Sequence, residues 1–413
     1  KPDRAVIAMV ADAEINALVK DYKGNAALAA GEVFDPSPAN IDVRTVRSTL
    51  PNGMKLALLP KATRGNTVTA RITIRFGDLK SLTGRNDASR TMSLMLDKGT
   101  TTKSRQQIKD AFDKLKTQAS FGGAGNNIVA SLTTIRENLI PAIHLAAEVL
   151  KTPAFDAAEF DKLRTGTLAQ IEQGKSEPVS VALTAYGRKL TPYPKGHPLA
   201  TNTIDEDIAI TKAMTIAELK KIYDELVGAS YADAAVVGDF NKDSVTTVLR
   251  DEFGAWKSPK PFARLVRTYF DLVKSDEKLE TPDKANAFFL AGQNLRVRDD
   301  SRDFAALTIG NYILGGGFLN SRLATRIRQQ EGISYGVGSG FSAQSLDSAG
   351  TLMANAIYNP ENITRLDAAF NEEIDRVLKY GLTADEVTKA KQGWLQQQVQ
   401  SRATDGFLVS LFA

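Results

Sequence analysis

Arg328 and Tyr335 lie seven residues apart, and a guanidinium and a phenol brought together across a turn make a corner rich in hydrogen-bond donors. The stretch that holds them begins Gly315-Gly316-Gly317-Phe318-Leu319-Asn320-Ser321-Arg322-Leu323. It continues through Arg326, Arg328, Gln330 and Glu331 to Gly332-Ile333-Ser334-Tyr335-Gly336-Val337. It reads as a flexible triple glycine, a short arginine-rich helix, a tight turn and a strand. Asn320 or Ser321 is placed to cap the helix, because a side-chain oxygen there accepts a first-turn N–H. Leu319, Leu323 and Ile327 recur every four residues and predict one buried stripe. Gly332 ends the helix, and Tyr335, Val337 and Phe341 alternate onto one face of the strand that follows. Arginines at this spacing also suit a plain solvated face, and spacing alone leaves both readings open. A phosphate loop is discarded, since no Gly-Lys-Ser/Thr follows the glycines and their order is not G-x-G-x-x-G.

Other chemistries are thinly represented. Cysteine is absent, so disulfides and thiolate metal sites are excluded. The two histidines, His144 and His197, are too far apart for a two-histidine helical zinc motif, and each reads as structural. The net charge of +4 is spread without blocks of like charge, so a nucleic-acid partner is not expected. No apolar run reaches the ~20 residues of a membrane span. At 413 residues the chain is long enough for two or more cores. It begins with Lys1 rather than Met, which suggests a piece processed or excised from something longer.

The elements that must position these residues follow in order. Residues 1–46 read as a connector from a preceding half, with a stray strand near Arg4–Val10 and Pro/Ser/Asp punctuation from Phe34 to Asn40. Leu50-Pro51-Asn52-Gly53-Met54 predicts a hairpin, because Asn and Gly both tolerate positive φ. Val68, Ala70, Ile72, Ile74 and Phe76 alternate with polar residues, as in a strand covered on one face. Ser104 with Gln107, and Thr383 with Glu386, have capping-box spacing and open helices. Ala234 to Asp239 closes the first block as a buried strand, and Lys257-Ser258-Pro259-Lys260-Pro261 is a linker. Strands and helices then recur. The expectation is an α+β fold of two similar modules, 47–256 and 257–413, each a mainly antiparallel sheet with helices on one face. The apolar end, Phe407 to Ala413, carries no stop signal, so the second module is expected to lack its closing part.

From Arg47 onward the chain resembles one half of a pitrilysin/insulysin-type zinc peptidase, the inverzincin family that includes mitochondrial processing peptidase. The resemblance rests on Leu50-Pro51-Asn52-Gly53, on Val237-Gly238-Asp239, and on Leu314-Gly315-Gly316-Gly317 with Ser321-Arg322-Leu323, Ile327-Arg328 and Gly332-Ile333-Ser334-Tyr335. Such enzymes close two halves as a clamshell, one of which carries H-x-x-E-H, holding zinc and activating water. The matching helix here reads Arg90-Thr91-Met92-Ser93-Leu94, with Arg90 and Leu94 at the histidine places and Ser93 at the glutamate place. The resemblance therefore implies the half without metal, inert alone, with zinc and catalysis in a partner half from the same precursor or a separate subunit. It further implies that Arg328 and Tyr335 hydrogen-bond a peptide or unfolded-polypeptide substrate and steady its tetrahedral intermediate. Gly315, Gly316 and Gly317 would be a hinge or a close-approach loop beside that site. The periplasm is the expected compartment. The alternative is a proteolytically inactive scaffold of the same fold, like the respiratory-complex core subunits that also resemble this family.

Overall fold

A computed structural model describes residues 30–413. The Arg4–Val10 strand expectation and most of the 1–46 connector lie outside these residues. The remainder of that connector is more ordered than its punctuation implied. Ser37 accepts the N–H of Asn40, Pro38 occupies the first helical turn where its fixed φ fits, and Pro38–Arg44 is a helix.

Among the described residues, nine strands make two sheets, in a mixed α+β arrangement. The first holds β1 (Val46–Thr49), β2 (Lys55–Pro60), β3 (Thr67–Arg75), β4 (Gln118–Gly122), β5 (Asn127–Ile135) and β6 (Ala232–Gly238), in the order β1-β2-β6-β3-β5-β4. All its pairs are antiparallel except β2 with β6. The second holds β7 (Ala287–Leu295), β8 (Gly336–Ser342) and β9 (Gly350–Tyr358) in the antiparallel order β7-β9-β8. No described helix is long and apolar enough to cross a membrane.

Alternation builds the first core. Val68, Ala70, Ile72 and Ile74 of β3 join Leu56, Leu58, Ala234 and Val236 beneath helices that include Asn86–Met95, Leu139–Lys151 and Ile216–Leu226. The expectation of a single covered face is corrected in part. Leu59, Ala235 and Val237 point the other way and are sealed by Ile41 and by Leu408 and Val409 of helix Asp405–Phe412. The apolar end of the chain is thus a lid on the first sheet, fixed by an ion pair of 2.6 Å between Lys61 and Asp405.

The Leu50–Met54 hairpin forms, with Gly53 at φ 100°. Asn52 does not share the positive φ. Its amide instead donates to Phe253 O at 2.8 Å, tying the turn to the end of helix Lys242–Phe253. Gly238 ends β6 at φ 129°, and a Cβ there would lie 2.5 Å from Thr67 O. Gly238→Ala should therefore destabilise the chain by about 2–3 kcal/mol, read by urea unfolding. A loss below about 0.5 kcal/mol would mean that β3 yields without strain.

Between the sheets, residues 257–286 run as a strap without helix or strand, longer than the linker read from its prolines. Helix Pro178–Leu190, which no sequence signal singled out, packs on β7. There Gly292 leaves space for the Tyr186 ring, since a Cβ would sit 1.8 Å from its hydroxyl. Burial pushes that phenol up to about 12.

Candidate functional site

Helix Phe304–Asn311 passes into a turn of wider π winding, Tyr312–Gly316, in which Gly317 N–H reaches back to Tyr312 O at 2.7 Å. None of the three glycines has positive φ. A Cβ on Gly315 would lie 2.5 Å from Ser339 N on β8, one on Gly316 2.8 Å from Asn311 Nδ2, and one on Gly317 2.6 Å from Tyr312 O. Each of the three thus has a close neighbour, which for Gly316 is the end of the Asn311 side chain.

Ser321, rather than Asn320, caps the next helix by accepting the N–H of Ala324 at 3.3 Å. Leu323 and Ile327 are buried in the second core with Leu314, Leu366 and Ala356. Leu319 is exposed, so the predicted stripe has two members rather than three. Ala324–Gln330 is again wound as a π-helix, a geometry that recurs at functional sites, and Gly332 closes it at φ 66°. The strand begins at Gly336, one residue beyond Tyr335. Ser334 accepts the N–H of Gly336, and Tyr335 is 91% exposed.

The arginines of this segment divide sharply. Arg322 holds both oxygens of Glu386, at 2.7 and 2.8 Å, and also reaches Glu373 and Gly381 O. Arg326 is paired with Glu331 and Glu372. Arg328, half-buried, has no hydrogen-bond or ion-pair partner among the described residues. No hydrogen bond joins it to Tyr335. The guanidinium and the phenol are therefore two separate free donors, displayed on either side of the Gly332 turn.

The electrostatics follow these pairings. Arg322 beside Glu386 holds that carboxyl down to about 2, against an ordinary 4.5. Such a lowered group contributes stability that is fully present above pH 4.5 and is lost as pH falls toward 2. The stability gap between wild type and Glu386→Gln should thus narrow as pH falls through this window. A constant gap in acid unfolding, followed by tryptophan fluorescence, would contradict the pairing.

The helix matched to the zinc motif, Asn86–Met95, offers no metal chemistry. Arg90 is an exposed cation, Leu94 is apolar, and Ser93 donates its hydroxyl to Arg90 O at 2.7 Å. These side chains do not fit a zinc ion, and no group of three His, Cys, Asp or Glu among the described residues could hold a metal. His144 is engaged by Glu252 at 2.7 Å. His197 stacks on Tyr193 at 4.2 Å and accepts the Leu199 N–H, and burial lowers its pKa.

Residues 213–393 match the family model described as the Peptidase M16 inactive domain. A non-peptidase homolog from Helicobacter pylori is 26% identical over 265 residues, 63% of this chain and 59% of that protein. The chain thus spans less than two-thirds of that relative's length. Among solved structures, the M16 inactive domain from Pseudomonas fluorescens superposes with a TM-score of 0.76 at 24% identity, covering 89% of this chain and 87% of that one. A periplasmic protease from Escherichia coli superposes with a TM-score of 0.71 at 16% identity, over 97% of this chain but only 45% of the larger one.

Proposed function

We propose that this chain, whose residues 213–393 match the Peptidase M16 inactive domain and whose fold is that of the Pseudomonas fluorescens structure, is a non-catalytic, substrate-binding half of a zinc-dependent endopeptidase. It acts with a zinc-bearing half, contributed by the same precursor or by a separate subunit, on peptides or unfolded polypeptides. Arg328 and Tyr335 complete the joint site. The observation that carries this reading is that Arg328 is left unpaired while Arg322 and Arg326 are locked to carboxylates.

The helical segment that carries this unpaired guanidinium is anchored by buried Leu323 and Ile327 and closed by Gly332, which fixes the backbone from which it projects. Its fork and the Tyr335 phenol are donors suited to a carbonyl oxygen that gains negative charge as water adds to the peptide. The partner half would hold the zinc, which would supply the activated water there. The length relation to the E. coli protease, of which this chain matches somewhat less than half, supports a two-half design. That neighbour is a periplasmic protease, which also favours the periplasm for this chain.

A second reading is an inactive scaffold, favoured by the description of the Helicobacter relative as a non-peptidase homolog. The two readings separate on cleavage of a flexible quenched-fluorescent peptide. This chain with zinc alone should be silent, and cleavage should appear on mixing with the zinc-bearing half. A stable complex that never cleaves would leave the scaffold. Cleavage by this chain alone would overturn the assignment of Arg90, Ser93 and Leu94 as metal-free positions.

A further inference from the structure

The second face of the six-stranded sheet presents a guanidinium with nothing to hold. Ala57, Ala235, Arg71, Ser131 and Ser120 lie directly opposite one another across β2, β6, β3, β5 and β4. Direct partners point to the same face, so Arg71 stands in the middle of a row whose other members are small. The apolar part of this face is capped by helix Asp405–Phe412, which packs on β6 and on β3, the strand that carries Arg71.

Arg71 Nε is closed off from solvent without an acceptor, and the guanidinium has no hydrogen bond or ion pair among the described residues. Two positions along β3, on the same face, Thr73 is 4% exposed and its hydroxyl also has no partner. Asp233, directly opposite Thr73, is engaged by Arg75 instead. Two adjacent polar groups thus lack the acceptor that buried donors almost always find. A guanidinium fork flanked by small residues is chemically suited to a planar carboxylate, and a neighbouring hydroxyl to one of its oxygens.

We propose that Arg71 and Thr73 form a carboxylate-binding station on the sheet face, which takes an acidic polypeptide segment through an Asp or Glu side chain or through its C-terminal carboxylate. It takes its ligand class from the peptide-binding reading above. It does not depend on Arg328, Tyr335 or cleavage, and direct binding tests it separately.

The experiment measures fluorescence anisotropy of labelled peptides of one sequence, otherwise uncharged, with the full chain at low salt. One peptide carries Gln and a C-terminal amide, one carries Glu and an amide, and one carries Gln and a free C-terminus. At least one acidic peptide should bind about tenfold tighter than the neutral one, and whichever does so identifies the source of the carboxylate. Arg71→Gln should abolish the preference and Arg71→Lys should keep part of it. Thr73→Val should reduce it. Circular dichroism establishes that each variant is folded, and the Lys variant reads the charge if the Gln variant is not. Equal binding of all three peptides by wild type, or a preference that survives Arg71→Gln, overturns the proposal.

Discussion

Arg328→Ala is expected to cut peptide cleavage by the assembled halves by about 10²- to 10³-fold, the loss seen when one donor to a developing oxyanion is removed. The melting of this chain should move by no more than about 0.5 kcal/mol, as for a surface substitution that breaks no pairing. Both halves of the expectation come from the same observation. Arg328 has no carboxylate to lose, so its removal strands no buried charge in the free chain. Tyr335, 91% exposed, should behave alike, with Tyr335→Phe lowering kcat by about tenfold while stability is unchanged. Steady-state kinetics on the mixed halves, beside urea unfolding of this chain alone, read the two quantities. Unchanged kinetics in both variants would remove these residues from the joint site.

Six positions earlier, Arg322→Ala should do the reverse. Glu373 is 2% exposed, and its neighbours are Arg322 and Arg376, each at 3.5 Å. Arg322 also joins Gly381 O, at the end of helix Ile363–Tyr380, to Glu386, in the first turn of helix Ala384–Arg402. Removing it leaves a buried carboxylate with one distant partner, and breaking a buried pair in this way costs about 3 kcal/mol. Urea unfolding should show the loss, and Glu373→Gln in the Arg322→Ala background should restore part of it by neutralising the stranded charge. A loss under about 1 kcal/mol would mean that water reaches Glu373 once the arginine is gone. One substitution is thus expected to act on activity and the other on stability, in arginines that look equivalent in sequence.

That equivalence marks where sequence reading ran out. Features set by neighbours a few residues away were legible. The Ser104/Gln107 and Thr383/Glu386 boxes form, β3 alternates, and Gly332 and Gly381 both take the left-handed conformation that stops a helix. The α+β class followed from the same local signals. The partners of Arg322 lie 51 and 64 residues downstream, so no window on the sequence could separate a pinned arginine from a free one. Leu319 carried the correct period yet came to rest outside the core, because the short turn at Phe318–Asn320 lies ahead of the helix that begins after Ser321. Asn52 was read for its backbone tolerance, whereas its amide is used to grip Phe253 O. The glycines at 315–317 looked flexible because composition cannot report that Ser339, Asn311 and Tyr312 sit against Gly315, Gly316 and Gly317 in turn.

The lid formed by Leu408 and Val409 bears on biosynthesis. Its target, the apolar patch of Leu59, Ala235 and Val237, is complete once β6 has emerged from the ribosome. The helix that finishes covering it is made roughly 170 residues later, a delay of roughly 10–30 s at ordinary elongation rates. Through that interval the nascent first sheet shows a greasy face to its surroundings, shielded among the described residues by Phe34 and Ile41. Ribosomes translating the same message would display this face on neighbouring chains at once, so crowding on the polysome is a hazard of aggregation that the finished fold does not share.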